Sequence, residues 1–252
     1  LGERCERGAD CESGICDTGS ASGRCIADPR DNRLEMLEEV FLPPNVIPFA
    51  AYFESSGQAG IRVLANASGP DDTTVTVVYG LDDDGWNPRD ASLLPSPRLQ
   101  PAVYQVGSTT WLYGGDSKGG LLADLWQWDG TRWIAHTVAN GPIVRAAGLG
   151  MLASELIVFG GRNDDDAQRG THSVGTLPEV GGAWVARADL PTALEGIPGG
   201  LALPHQGVLA VGGTSTLMRY AGSTWEDDGA LASAATDRVA HAVVRDETRG
   251  RL

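Results

Sequence analysis

The residues of this chain best equipped for chemistry are four histidines, several acidic runs and a recurring arginine. His136, His172, His205 and His241 are scattered with no paired spacing. Histidine metal sites need ligands brought together in register, so these four read as ordinary strand or surface histidines. Asp82, Asp83, Asp84, Asp116, Asp164, Asp165, Asp166, Asp227 and Asp228 form short acidic clusters. Calcium takes about six to eight oxygen ligands and such clusters suit it. None has the EF-hand pattern, and solvated acidic loops are the simpler reading. No G-x-S-x-G, H-E-x-x-H or phosphate-cradling glycine loop is present. The sequence therefore assigns no catalytic residue, no metal and no cofactor.

The charge narrows the partners. Aspartate plus glutamate number 33 against 19 lysines and arginines, a formal charge of −14 over 252 residues. Nucleic acids and anionic membranes demand a basic surface, so neither is expected as a partner, and no apolar run is long enough for a membrane helix. All four cysteines, Cys5, Cys11, Cys16 and Cys25, fall in the first 25 residues, separated by five, four and eight residues. An even number in a small Gly/Asp/Ser-rich segment predicts a disulfide framework and an oxidising compartment, with three pairings open. Zinc would favour short Cys-x2–4-Cys knuckles in two pairs. Asn66-Ala67-Ser68 matches the glycosylation pattern, which also arises by chance.

The elements that would carry these residues divide the chain into a small disulfide-rich module over 1–28, a linker over 29–48 and an all-β domain over 49–252. Leu34, Leu37, Val40 and Phe41 fall at near-helical spacing before Pro43, Pro44 and Pro48 enforce extended chain. Beyond them, short apolar runs such as Ile61–Ala65, Thr74–Tyr79, Trp111–Tyr113, Leu156–Phe159 and Val208–Val211 are bounded by Gly, Pro, Asn and Asp.

Three markers recur at one period. Double glycines end a strand at Gly114–Gly115, Gly160–Gly161 and Gly212–Gly213, spaced 46 and 52 residues. Tryptophans close the unit at Trp86, Trp133, Trp184 and Trp225, spaced 47, 51 and 41. Arginines open it at Arg98, Arg145 and Arg238, spaced 47 and 93. A period in the forties to fifty with about four strands per unit is the signature of a β-propeller blade. Glycine pairs suit a sharp turn with positive φ, and a tryptophan suits the gap between stacked blades.

LYGGD, IVFGG and LAVGG resemble the GG-ending second strand of kelch repeats. DLWQWDGTRW and LMRYAGSTW resemble the third strand, turn and fourth-strand tryptophan of that unit, in the bacterial form similar to the galactose oxidase propeller. RVAHAVVRDETRGRL resembles the start of a further unit, with His241 at the R-x-x-H position. The resemblance implies about four blades, near 49–90, 97–133, 145–184 and 199–225, and the start of a fifth. Kelch-like propellers close with six or seven, so a partial propeller belonging to a longer chain is expected. Residues 1–28 resemble small cysteine-rich modules that precede larger domains in secreted and surface-attached bacterial proteins.

For function, the resemblance implies a secreted, periplasmic or cell-surface binding module that presents loops to a protein or carbohydrate ligand. The alternative is a fragment of an extracellular carbohydrate-active or oxidative enzyme with its catalytic residues elsewhere. Copper chemistry of the galactose oxidase type requires a cysteine bonded to a tyrosine, and no cysteine follows Cys25. The recurring arginines and DGTRW also resemble the carboxylate-binding arginines and Asp-box turn of sialidases. In kelch-type blades such arginines are expected to bond neighbouring backbone. Loops between second and third strands, and between blades, share one face; Asp116, Asp164–Asp166, Asp227 and Asp228 are expected there, with Asp82–Asp84 opposite. The candidate partner loop comprises Arg162, Asn163, Asp164, Asp165, Asp166, Gln168 and Arg169.

Overall fold

The computed structural model describes residues 16–17, 24–25, 42–54, 60–82, 85–91, 93–164, 166–167, 170–175, 182–191, 199–203, 207–211 and 216–230. The chain divides into two compact units, Leu1–Val40 and Phe41–Leu252. In the first, β1 (Cys16–Asp17) pairs antiparallel with β2 (Arg24–Cys25), which sets the Cys16 and Cys25 backbones opposite each other. The expected disulfides lie outside the described residues, as do Cys5, Cys11 and the helical turn read over 34–41.

The second unit is all-β, as its short apolar runs dictate. Sixteen of its strands form four antiparallel four-stranded sheets, each a simple up-and-down meander. The first sheet contains β3 (Ile47–Glu54), β4 (Gly60–Ser68), β5 (Thr74–Asp82) and β6 (Gly85–Arg89). The second contains β7 (Ala102–Val106), β8 (Thr109–Ser117), β9 (Gly120–Trp128) and β10 (Trp133–His136). The third sheet follows with β11 (Gly148–Leu152) and β12 (Glu155–Phe159). A two-stranded excursion, β13 (Arg162–Asn163) and β14 (Asp166–Ala167), then precedes its β15 (Thr171–Gly175) and β16 (Val185–Arg187). The fourth is β17 (Gly199–Leu203), β18 (Gly207–Val211), β19 (Thr216–Tyr220) and β20 (Trp225–Ala230). A single 3-10 turn, Pro70–Asp72, is the one helical element among the described residues, so no helix there is long enough to cross a membrane. The first strand begins at Ile47, inside the segment read as a linker.

The core runs between consecutive sheets, because each strand alternates its side chains between two neighbours. Tyr52, Leu64 and Val78 of the first sheet pack against Leu112, Trp128 and Trp133 of the second. Tyr104, Trp111, Tyr113 and Leu125 of the second meet Leu149, Leu156 and Val158 of the third. Ile157 and Phe159 of the third meet Met218, Tyr220 and Trp225. Three of the four closing tryptophans meet a ring of the preceding sheet edge-on: Trp133 on Tyr52 at 5.2 Å, Trp184 on Tyr113 at 4.9 Å, Trp225 on Phe159 at 5.1 Å. Such pairs add about 0.5–1.5 kcal/mol beyond area burial. Trp86, on the first sheet, is only half-buried.

The register gives the repeat an exact length over three strands. Ala102 opposes Tyr113 and Tyr113 opposes Leu125; Gly148 opposes Phe159 and Phe159 opposes Thr171. Each residue of the second pair of contacts lies 46 positions after its counterpart. The same offset relates Gly114–Gly115 to Gly160–Gly161, all four with positive φ. A Cβ on Gly115 would sit 2.8 Å from the Leu99 carbonyl oxygen, and one on Gly161 2.8 Å from that of Arg145, so backbone crossing leaves room for hydrogen alone. Leu99 is thus the counterpart of Arg145, and Arg98 that of Val144. The spacing of 47 read between the two arginines is one residue out of structural register.

Candidate functional site

Arg98 is 1% exposed. Its guanidinium donates to the Gly114 carbonyl (2.9 Å) and the Ser96 carbonyl (3.0 Å), and forks onto Asp124 at 2.7 and 2.8 Å. The Asp124 carboxyl also accepts the Trp126 indole N–H at 2.7 Å. Partial burial works to raise the Asp124 pKa, but the Arg98 bonds and charge and the Trp126 bond outweigh it and hold it below the usual range. Nearby, Asn66 bridges the Arg98 backbone, donating to its carbonyl at 2.8 Å and accepting its N–H at 3.1 Å. That two-sided bond buries the sequon asparagine as a connector between the first two sheets.

Arg145 has a different surrounding. It donates to Asp116 at 2.8 Å and to the Asp164 carbonyl at 3.2 Å, and its side chain is 28% exposed. Its backbone exchanges two hydrogen bonds with Arg162. The candidate partner loop is therefore a short hairpin, Arg162–Asn163 against Asp166–Ala167, tied to Arg145 at its base. Asp165, Gln168 and Arg169 lie outside the described residues, as do Asp83, Asp84, Gly212, Gly213, His205, Arg238 and His241. Asp227 and Asp228 were expected in a loop between units but belong to β20, which runs on past Trp225 through a bulge. Burial pushes His136 and His172 below the ordinary histidine value, Asp189 opposing it at His172. His136 shares a 2.9 Å hydrogen bond with Gln127. Among the described residues, no three His, Cys, Asp or Glu side chains converge as a metal site.

The most developed site lies elsewhere, between the first two sheets at the end that carries the first-to-second and third-to-fourth strand turns. A cavity of about 170 Å3 opens there, walled by Tyr52, Arg62, Arg89, Trp128 and the Thr131–Arg132 turn, with Glu54 and Asp90 beside them. The register explains the convergence. Tyr52 opposes Arg62, Arg62 opposes Gly80, and Val78, two residues from Gly80, opposes Arg89. All five side-chain positions share the face turned to the second sheet.

Two guanidiniums meet over Gly80. A Cβ there would lie 2.6 Å from Arg62 Nη1 and 2.7 Å from Arg89 Nε. The two guanidiniums thus already occupy the space that a side chain at Gly80 would need. Arg62 is 3% exposed and gives its Nε–H to Glu54 at 2.7 Å. Arg89 bonds Asp82 at 2.6 Å on the outer side, while its buried Nε–H has no hydrogen-bond partner. Trp128 also lines the cavity, and its buried Nε1 likewise has no hydrogen-bond partner. Tyr52 lies 4.6 Å from Trp128, and burial, with the Trp133 indole opposing, drives its hydroxyl up to about 12, so it stays a neutral donor at physiological pH.

The opposite wall is held by Asp129. Its Oδ1 accepts the Thr131 N–H (2.8 Å), the Thr131 hydroxyl (2.7 Å) and the Arg132 N–H (2.9 Å), with Gly130 at φ 100°. This Asx-type turn fixes the direction in which Thr131 and Arg132 face the cavity. Slight burial raises the Asp129 pKa, but those three bonds lower it further and keep the carboxylate ionised.

None of the cavity residues stood out in the sequence except as strand or turn. A signal was present: an arginine second in the run IRVLAN, in phase with Leu64, shares the inward face of the strand. No protein-family model matches this chain, and no curated protein matches it.

Proposed function

We propose that the second unit is a run of kelch-like propeller blades, and that the chain is a secreted or cell-surface binding module acting without catalysis of its own. The observation that carries the reading is the serial stacking of four four-stranded antiparallel meanders, the second, third and fourth each keyed to the preceding sheet by one tryptophan. A two-sheet sandwich shares one core between two sheets; here three separate cores alternate with the sheets. Positive-φ glycine pairs at the close crossing of neighbouring units, 46 residues apart, support the same architecture. Such a scaffold is rigid, and it leaves recognition to turns and to gaps between blades.

The test is to probe glycan and peptide arrays with the chain and then incubate each hit with it. Retention of an intact ligand supports a binding module. Conversion of the ligand contradicts it and favours an enzyme.

A further inference from the structure

We infer that the cavity between the first two sheets is a carboxylate-binding site for a single acidic sugar unit, with Arg62 and Arg89 holding the carboxylate. This deepens the binding-module reading and rests on it. The chain as a whole is strongly acidic, yet three guanidiniums (Arg62, Arg89, Arg132) line the cavity, each paired on one side with a carboxylate, Glu54, Asp82 and Asp129 respectively.

The hydrogen-bond inventory agrees. Two guanidiniums side by side repel each other, and Glu54 and Asp82 answer them from outside the shared space over Gly80. The Nε–H of Arg89 and the indole N–H of Trp128 are buried donors without acceptors. An unsatisfied buried donor costs about 1–3 kcal/mol, and a planar carboxylate supplies the two acceptors that guanidinium forks match. Drug-sized ligands need pockets above about 300 Å3, so a cavity of about 170 Å3 admits one ring. The Tyr52 and Trp128 rings offer it apolar contact, while Thr131, Glu54 and Asp90 offer partners for hydroxyl groups.

The two counterpart positions lack this arrangement. Matching the tryptophan pairs Leu81–Trp86 and Trp128–Trp133 places Arg62, Gly80 and Arg89 level with Trp111, Gln127 and His136. There Trp111 and His136 pack ring on ring at 5.4 Å. In the third sheet the counterparts are Ile157, Ser173 and Arg187, and Ser173 with Glu155 occupies the one guanidinium. Among the first three sheets, only the first combines two arginines with a bare glycine.

Intrinsic tryptophan fluorescence, with Trp128 and Trp133 as reporters, tests the site by titration with sodium glucuronate, glucose and glucose 6-phosphate. A saturable response to glucuronate at least tenfold tighter than to either of the others is expected. Gly80→Ala, which displaces both guanidiniums, and Arg89→Gln should each weaken it at least tenfold while the thermal transition stays within a few degrees. If Gly80→Ala unfolds the chain, Arg89→Gln and the ligand ratios decide. Equal binding of glucose, tighter binding of glucose 6-phosphate, unaltered affinity in a folded Arg89→Gln variant, or no saturable glucuronate response would overturn the assignment. A neutral ligand found on the arrays alongside any of these results leaves the binding module intact and removes only this site.

Discussion

The first and second sheets are built on one plan, yet they treat the same inward-facing position in opposite ways. In the second sheet Trp111, Gln127 and His136 fill it with two stacked rings and a side-chain hydrogen bond. In the first, Arg62 and Arg89 pack over Gly80 and line a cavity beside it. Both faces are buried against the next sheet, so burial alone does not set the chemistry. The repeat thus fixes where side chains meet and leaves open what they are. A filled position stabilises the stack; a charged, partly empty one costs stability, as the proposed recognition site would.

The largest effect expected from testing this contrast is at the wedges. Trp133→Ala should destabilise the second unit by about 3–5 kcal/mol, because its ring is buried against Tyr52. Trp86→Ala, at the same register position of a sheet with no predecessor among the described residues, should cost clearly less. Urea denaturation of the two variants measures the gap, and equal losses would break the account of the wedge.

Next come the arginines. Arg98→Met removes a buried fork and strands Asp124, at a cost of about 3 kcal/mol. Arg145→Met removes a half-exposed ion pair worth about 1 kcal/mol or less. The pair also differs in pH. The Asp124 pKa is depressed in the folded chain, so its stabilisation is complete above the ordinary aspartate value near 4 and is lost as pH falls below it. The acid limb of a denaturation-against-pH curve should flatten in Asp124→Asn.

Glycines give a smaller contrast. Gly161→Ala forces a side chain into positive φ against backbone and should cost about 1–3 kcal/mol. At Gly80 only flexible arginine tips stand in the way; the reduced freedom of the unfolded chain offsets their displacement, and melting should shift little. The smallest effect lies at His136. Burial lowers its pKa in the folded chain, so the unfolded chain takes up its proton first. Stability should therefore fall modestly as pH drops below about 6.5, and His136→Gln should reduce that slope.

Much of the architecture was legible because it rests on local signals. Apolar runs bounded by turn residues announce antiparallel strands, and the Gly114–Gly115, Gly160–Gly161 and tryptophan markers announce the repeat. What escaped depends on register. Arg98 and Arg145 share a type and nearly a spacing, but one residue of offset sends the first into the sheet and the second to its rim. Asp124 pairs with Arg98 across 26 residues, and sequence gives no reason to join them. Arg62, Gly80 and Arg89 come from three strands and meet only once the pairing of β4, β5 and β6 is known. Asp227 and Asp228 looked like loop residues because acidic pairs usually are; in β20 the strand extends through them.

The most direct test of the central claim, that function sits where the first sheet departs from the plan of the second, is an exchange of the two patterns. In a chain carrying Arg62→Trp, Gly80→Gln and Arg89→His, calorimetric titration with glucuronate should show no saturable heat while the circular dichroism spectrum keeps its β form. Binding equal to that of the unaltered chain, in a variant that folds, would contradict the account.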